Sequence, residues 1–142
     1  MSELFTTNTH ANPLGWLLDS ELGSLAGVDF AVLASGDGLL SSRTNSVGQD
    51  KAEAMAAIGS TLRGTATGLS HEIKGGGVRQ LLVELDNGVC LITGAGENML
   101  LLAKTSADAD IATITQAMVM LAGRVGHEMS VAARRPDSEI QR

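Results

Sequence analysis

The sequence predicts an α/β (α+β) domain: a five-stranded, mostly antiparallel sheet with helices packed on it, in the order helix, two strands, helix, three strands, helix. Three observations predict it. Apolar residues recur at helical spacing in three separate segments, near residues 14–25, 55–73 and 111–125. Between these segments lie short runs rich in Val, Leu and Ile. Tight turns such as Ser35-Gly36-Asp37-Gly38 and Asp86-Asn87-Gly88 join those runs, so neighbouring strands form hairpins. The order of strands within the sheet stays open.

Asn12-Pro13 opens the first helix, because Asn is a good N-cap and Pro suits the first helical position. Leu14, Leu17, Leu18, Leu22 and Leu25 then line one face, and Gly27 is placed to end the helix in a left-handed conformation. A strand follows over residues 28–34, with Val28, Phe30 and Val32 alternating against Asp29, Ala31 and Leu33. The return strand runs from Leu39 to Thr44. Asp50 is expected to cap the second helix, from Lys51 to about Ile73.

In that helix Met55, Ile58, Leu62, Ala66, Leu69 and Ile73 step by 3, 4, 4, 3 and 4, a single stripe that reads as core packing. Gly59, Gly64 and Gly68 interrupt it, each at a cost of about 1 kcal/mol against Ala. Lys74-Gly75-Gly76-Gly77 breaks the chain before a three-strand meander: residues 78–85, 89–93 and 99–104. Asn87-Gly88 in its first turn suits a type I′ hairpin. Ser106 caps the last helix, with Asp108 and Asp110 in its first turn. Ile111, Ile114, Met118, Leu121 and Val125 form its core face, and Gly126-His127 closes it. The expected organisation is a flexible segment over residues 1–12, one domain over 13–127 and a disordered tail over 128–142.

Composition narrows the function. A chain of 142 residues, 44% apolar and 18% charged, fits one globular domain. No apolar run reaches the ~20 residues of a membrane helix. The first residues have neither a basic head nor an apolar core, so no signal peptide and a cytosolic location are expected. One cysteine, Cys90, rules out an intramolecular disulfide. A net charge of −6 without a basic cluster disfavours nucleic acid. Three aromatics, Phe5, Trp16 and Phe30, argue against base-stacking platforms and aromatic-lined pockets.

No catalytic constellation emerges. Lys74-Gly75-Gly76-Gly77 precedes a strand, whereas a phosphate loop follows one and opens a helix. Gly94-Ala95-Gly96 lacks the third glycine of a dinucleotide fingerprint. His10, His71 and His127 show no metal-ligand spacing, and Cys90 sits mid-strand as a small hydrophobe. Asp108 and Asp110 diverge by roughly 200° on a helix. Neither a cofactor nor a metal is expected, and the chain is not expected to be an enzyme.

What remains is the small, weakly charged second face of the 51–73 helix, with Ala52, Ala56, Gly59, Arg63, Ala66 and Thr67. Small side chains let another helix approach closely, as between two copies about a two-fold axis. Ala52, Met55, Ala56, Gly59, Arg63 and Ala66 are the expected dimer contacts. The competing reading is a smooth exposed side with no partner.

Several segments in order resemble the bacterial roadblock / dynein light chain family. They are Leu14-Gly15-Trp16-Leu17-Leu18, the hairpin from Val32 to Leu40 with its Ser35-Gly36-Asp37-Gly38-Leu39, the Ala/Gly-rich second helix, Gly76 to Glu84, and Met118 to His127. The likeness covers about residues 13–130. It implies a roadblock/profilin-like fold and a homodimer with paired second helices. It also implies a small Ras-like GTPase as partner, within a bacterial signalling set that includes a histidine-kinase-like protein. Some relatives accelerate GTP hydrolysis in the partner, and others are scaffolds. Arg63, the one arginine on the second helix, is the residue to test for such an effect, against the plainer reading of a solvated arginine. The surface that meets the partner is not identified. The alternative function is a small-molecule sensor domain of similar layout.

Overall fold

The computed structural model describes residues 11–133. Helix α1 spans Gly15–Leu18 and continues as a π-helical turn over Asp19–Gly23. Strands β1 (Val28–Ser35) and β2 (Leu40–Arg43) precede the long helix α2 (Gln49–Ile73). Strands β3 (Gln80–Leu85), β4 (Gly88–Gly94) and β5 (Met99–Thr105) follow, and then helix α3 (Ile111–Ala133). The five strands make one antiparallel sheet in the order β2-β1-β5-β4-β3. No helix among the described residues is long and apolar enough to cross a membrane.

The strand latest in the chain therefore lies at the centre. Its sequence explains why: β5 reads Leu100-Leu101-Leu102-Ala103 without alternation, as a strand covered on both faces must. Leu100 and Leu102 join Val32, Ala34, Ala52, Ala56 and Ile92 in the core under α2. Leu101 and Ala103 join Leu17, Leu18, Leu22, Leu33, Ile114, Met118 and Leu121 in the core under α1 and α3. Each fully buried Leu contributes about 1.5–3 kcal/mol of transfer free energy.

The outer helices settle differently from the sequence reading in several places. Asn12 does not cap α1. Its side chain clips β2 instead, with Oδ1 accepting from the Arg43 N–H at 2.7 Å and Nδ2 donating to the Arg43 carbonyl at 2.9 Å. Gly27 has the expected positive φ of 90°, but it turns the chain into β1 after the helix has already ended. Asp50 lies inside the first turn of α2, and the cap position is Gly48. Asp110, not Ser106, caps α3: its carboxylate accepts from the Thr113 N–H at 3.2 Å and from the Thr113 hydroxyl at 2.8 Å. Those two bonds hold its pKa below the ordinary 3.8.

Two strand readings change as well. A bulge at Asp29 breaks the expected alternation, since Val28 pairs with Thr105 while Phe30 pairs with Lys104. Val28 thus packs on the α3 side and Phe30 on the α2 side. The β3–β4 hairpin forms, but its loop is Asp86-Asn87, with Leu85 paired to Gly88. None of these residues has positive φ, so the turn is not type I′. Gly88 is required for another reason: a Cβ there would meet the Thr105 carbonyl oxygen at 2.7 Å.

Helix α3 also continues past Gly126-His127 to Ala133. Gly126 does not end it. The residue sits where the backbone of the Gly96 turn comes within contact distance, with a Cβ at Gly96 only 3.0 Å from the Gly126 Cα. The expected flexible start over 1–12 and tail over 128–142 lie largely outside the described residues, as does His10.

Candidate functional site: an interaction surface

Helix α2 has two faces, and the structure assigns them the opposite way from the sequence reading. Ala52, Ala56 and Gly59 are buried against β1, β2 and β5. The sheet comes so close that a Cβ on Gly59 would lie 3.0 Å from Leu102 Cδ1. Small residues do permit close approach here, but the approaching element is the chain's own sheet. Arg63 shares this side: its Nη1 donates to the Met99 carbonyl at 3.0 Å and ties α2 to the start of β5. Ala52, Ala56, Gly59 and Arg63 are thus taken up within the chain, while Met55 and Ala66 stay half-buried at the boundary.

The stripe expected to be core is instead left outside. Ile58 is 51% exposed, Leu69 61% and Ile73 67%, with Met55 and Leu62 half-buried beside them. At 100° per residue these five side chains fall within an arc of roughly 60°. The periodicity is sound evidence for a helix with one apolar flank. It carries no information about what that flank packs against.

The neighbouring half-sheet is open too. α2 lies mainly on β1, β2 and β5 and reaches Ile92 of β4, which leaves the same face of β3 largely uncovered. Leu81 and Val83 stand opposite Ile92 and Cys90 on that face and are only half-buried. Leu85 at the end of β3 is 61% exposed, and Leu82 on the reverse face is 55% exposed. Between the C-terminal half of α2 and β3 lies a cleft of about 400 Å³, lined by Ala66, Leu69, Ile73, Val78, Leu81 and Leu82 among others.

β3 is an edge strand, paired only with β4 among the described residues. It carries no Lys or Pro over Gln80–Leu85, and Glu84 is its one charge. Exposed edges of this kind are normally blunted, because their free N–H and C=O groups template pairing with another chain. An apolar helix flank, an open sheet face and an unguarded edge therefore adjoin one another.

The groups weighed for chemistry do not converge. His71 and His127 are exposed on different helices. Asp110 is occupied by Thr113, and Asp108 accepts from the Ser106 hydroxyl. Burial pushes the Cys90 thiol above its ordinary value, which keeps it protonated and a poor nucleophile. Among the described residues no three His, Cys, Asp or Glu side chains gather as a metal site. The cavity under β3 and β4 beside Thr115 and Met118 measures about 40 Å³.

A Roadblock/LC7 domain family model matches residues 14–105. The crystal structure of a Roadblock/LC7 domain from Streptomyces avermitilis is similar at 30% identity and a TM-score of 0.79, over 84% of this chain and 99% of that one. Gliding protein MglB from Thermus thermophilus has a similar fold, with a TM-score of 0.70 at 12% identity over 79% of this chain and 84% of that one. So does a structure described as MglB with tetrameric arrangement, with a TM-score of 0.70 at 11% identity over 83% and 91%. No curated protein matches the sequence.

Proposed function

The chain belongs to the Roadblock/LC7 domain family, and from that premise we propose that it acts as a homodimeric regulator or scaffold that binds a small Ras-like GTPase in the bacterial cytoplasm. It brings no catalytic site of its own, though it modulates the partner's GTP hydrolysis. A histidine-kinase-like protein belongs to the same signalling set.

The observation that carries this reading is the apolar flank of Ile58, Leu69 and Ile73 on α2, whose C-terminal part adjoins Leu81 of β3 across one cleft. A second copy is the natural occupant. Two-fold symmetry brings each apolar flank against its own equivalent and each β3 edge against the other, so ten strands become one sheet. Covering Ile58, Leu69 and Ile73 contributes several kcal/mol before the cost of association, at about 1.5–3 kcal/mol for each. That MglB has been seen in a tetrameric arrangement fits a fold that associates with itself. The dimer contacts proposed are accordingly Met55, Ile58, Leu62, Ala66, Leu69 and Ile73, with β3.

The test of function is calorimetric titration with small Ras-like GTPases of the same organism, loaded with GDP or with a non-hydrolysable GTP analogue. Tighter binding of the GTP form is expected. Equal affinity for both forms, or no binding to either, contradicts the regulator reading. Arg63 is not the group to supply to the GTPase, since it is spent on the Met99 carbonyl. Arg63→Lys is expected to lower stability without selectively abolishing any effect on GTP hydrolysis.

A further inference from the structure

The last two turns of α2 face the Gly75–Gly77 loop across a cleft of about 590 Å³. Its lining includes Arg63, Ser70, His71 and Lys74. Beyond Val78 a second cleft of about 510 Å³ continues past Arg79. Among the described residues no carboxylate lines either one. For a chain of net charge −6 this is a local inversion of sign. Apart from Arg134, Arg135 and Arg142, which lie outside the described residues, the chain has seven Lys and Arg, and three of them stand here. Elsewhere Lys104 pairs with Asp29 and Arg124 with Glu21, whereas Lys74 and Arg79 are paired with no carboxylate among the described residues.

We propose that this cleft is a docking groove for an acidic peptide segment of a protein partner. The proposal rests on the reading that the chain works by binding proteins. The cations are spread along an open groove and both Lys74 and Arg79 are exposed, which suits an extended chain of carboxylates over a single enclosed anion. Arg63 lines the groove but is held by the Met99 carbonyl, so Lys74 and Arg79 carry the contact with the peptide. On α2 the groove residues lie roughly 130° around from the apolar flank, counting 100° per residue. Arg63, Thr67, His71 and Lys74 line the groove and not the apolar cleft, so a second copy on that flank leaves their side of the groove open. Opposite charge across such a surface sets specificity and association rate more than affinity.

The experiment is fluorescence anisotropy of a labelled, end-blocked hexaglutamate peptide against the full chain in low salt. Saturable binding that weakens as salt rises is expected, with amide shifts in NMR spectra confined to the Gly75–Gly77 loop and its flanks. Lys74→Glu should weaken binding about tenfold, a loss of ~1.4 kcal/mol. Lys51→Glu makes the same charge change at the exposed opposite end of α2 and should leave binding unchanged. Equal losses in the two variants overturn the groove in favour of net charge alone. Binding of pyrophosphate at the same amides without binding of hexaglutamate overturns it in favour of a point-anion site. If hexaglutamate fails to bind a chain that still dimerises and still engages its GTPase, the groove falls and the proposed function stands.

Discussion

Glycine at position 88 is held by the Thr105 carbonyl, not by the turn it adjoins. Gly88→Ala places a Cβ 2.7 Å from that oxygen. The main chains of β4 and β5 must then separate, so a loss of about 1–3 kcal/mol in chemical denaturation is expected, whereas a merely flexible glycine would cost less. Gly59 follows the same logic under Leu102 and Leu100. Gly59→Arg, which the small-face reading makes a probe of dimerisation, is instead expected to unfold the domain. Asp110 titrates with a definite sign. Its pKa is lower in the folded chain because Thr113 bonds the ionised form, so its contribution is complete above pH ~4 and fades as pH falls through the depressed value. Asp110→Ala should therefore lower the thermal midpoint at pH 7, and the gap from wild type should narrow below pH ~3.8. A gap that does not depend on pH contradicts the assignment. Residue chemistry such as this is partly legible in the sequence: the acidic first turn of α3 is evident there, but which carboxylate caps it depends on where the helix begins.

At the scale of elements, three helices and five strands can be read from periodicity and turn residues, because those signals are local. The face of a helix that meets the sheet is not a local property. In α2 the larger apolar residues read as core and the small ones as an outer surface. The sheet selects the small ones, since Ala52, Ala56 and Gly59 let the helix lie close on β1 and β5. The sheet order is equally hidden, because pairing β1 with β5 joins residues more than sixty positions apart. A prediction belongs to the exposed edge. β3 amides that point away from β4 have no strand partner among the described residues, and the proposed two-fold pairing would give them one. Their hydrogen-exchange protection should fall on dilution, while amides bonded to β4 keep theirs. Protection independent of concentration contradicts strand pairing.

For the molecule as a whole, one chain satisfies its own core on both sides of the sheet yet leaves a connected apolar surface along α2 and β3. Such a surface is rarely left bare in a monomer. Its place in the fold, beside an unguarded strand edge, is what the proposed association with a second copy rests on. Since Ile58 and Leu69 are more than half exposed, Ile58→Asp with Leu69→Asp should leave the helical content intact while separating the copies. The most direct measurement is the mass in solution by multi-angle light scattering, for wild type and for this double variant. The account predicts twice 14.6 kDa for wild type and 14.6 kDa for the folded double variant. A wild-type mass of one chain, or a double variant that still weighs two, contradicts it.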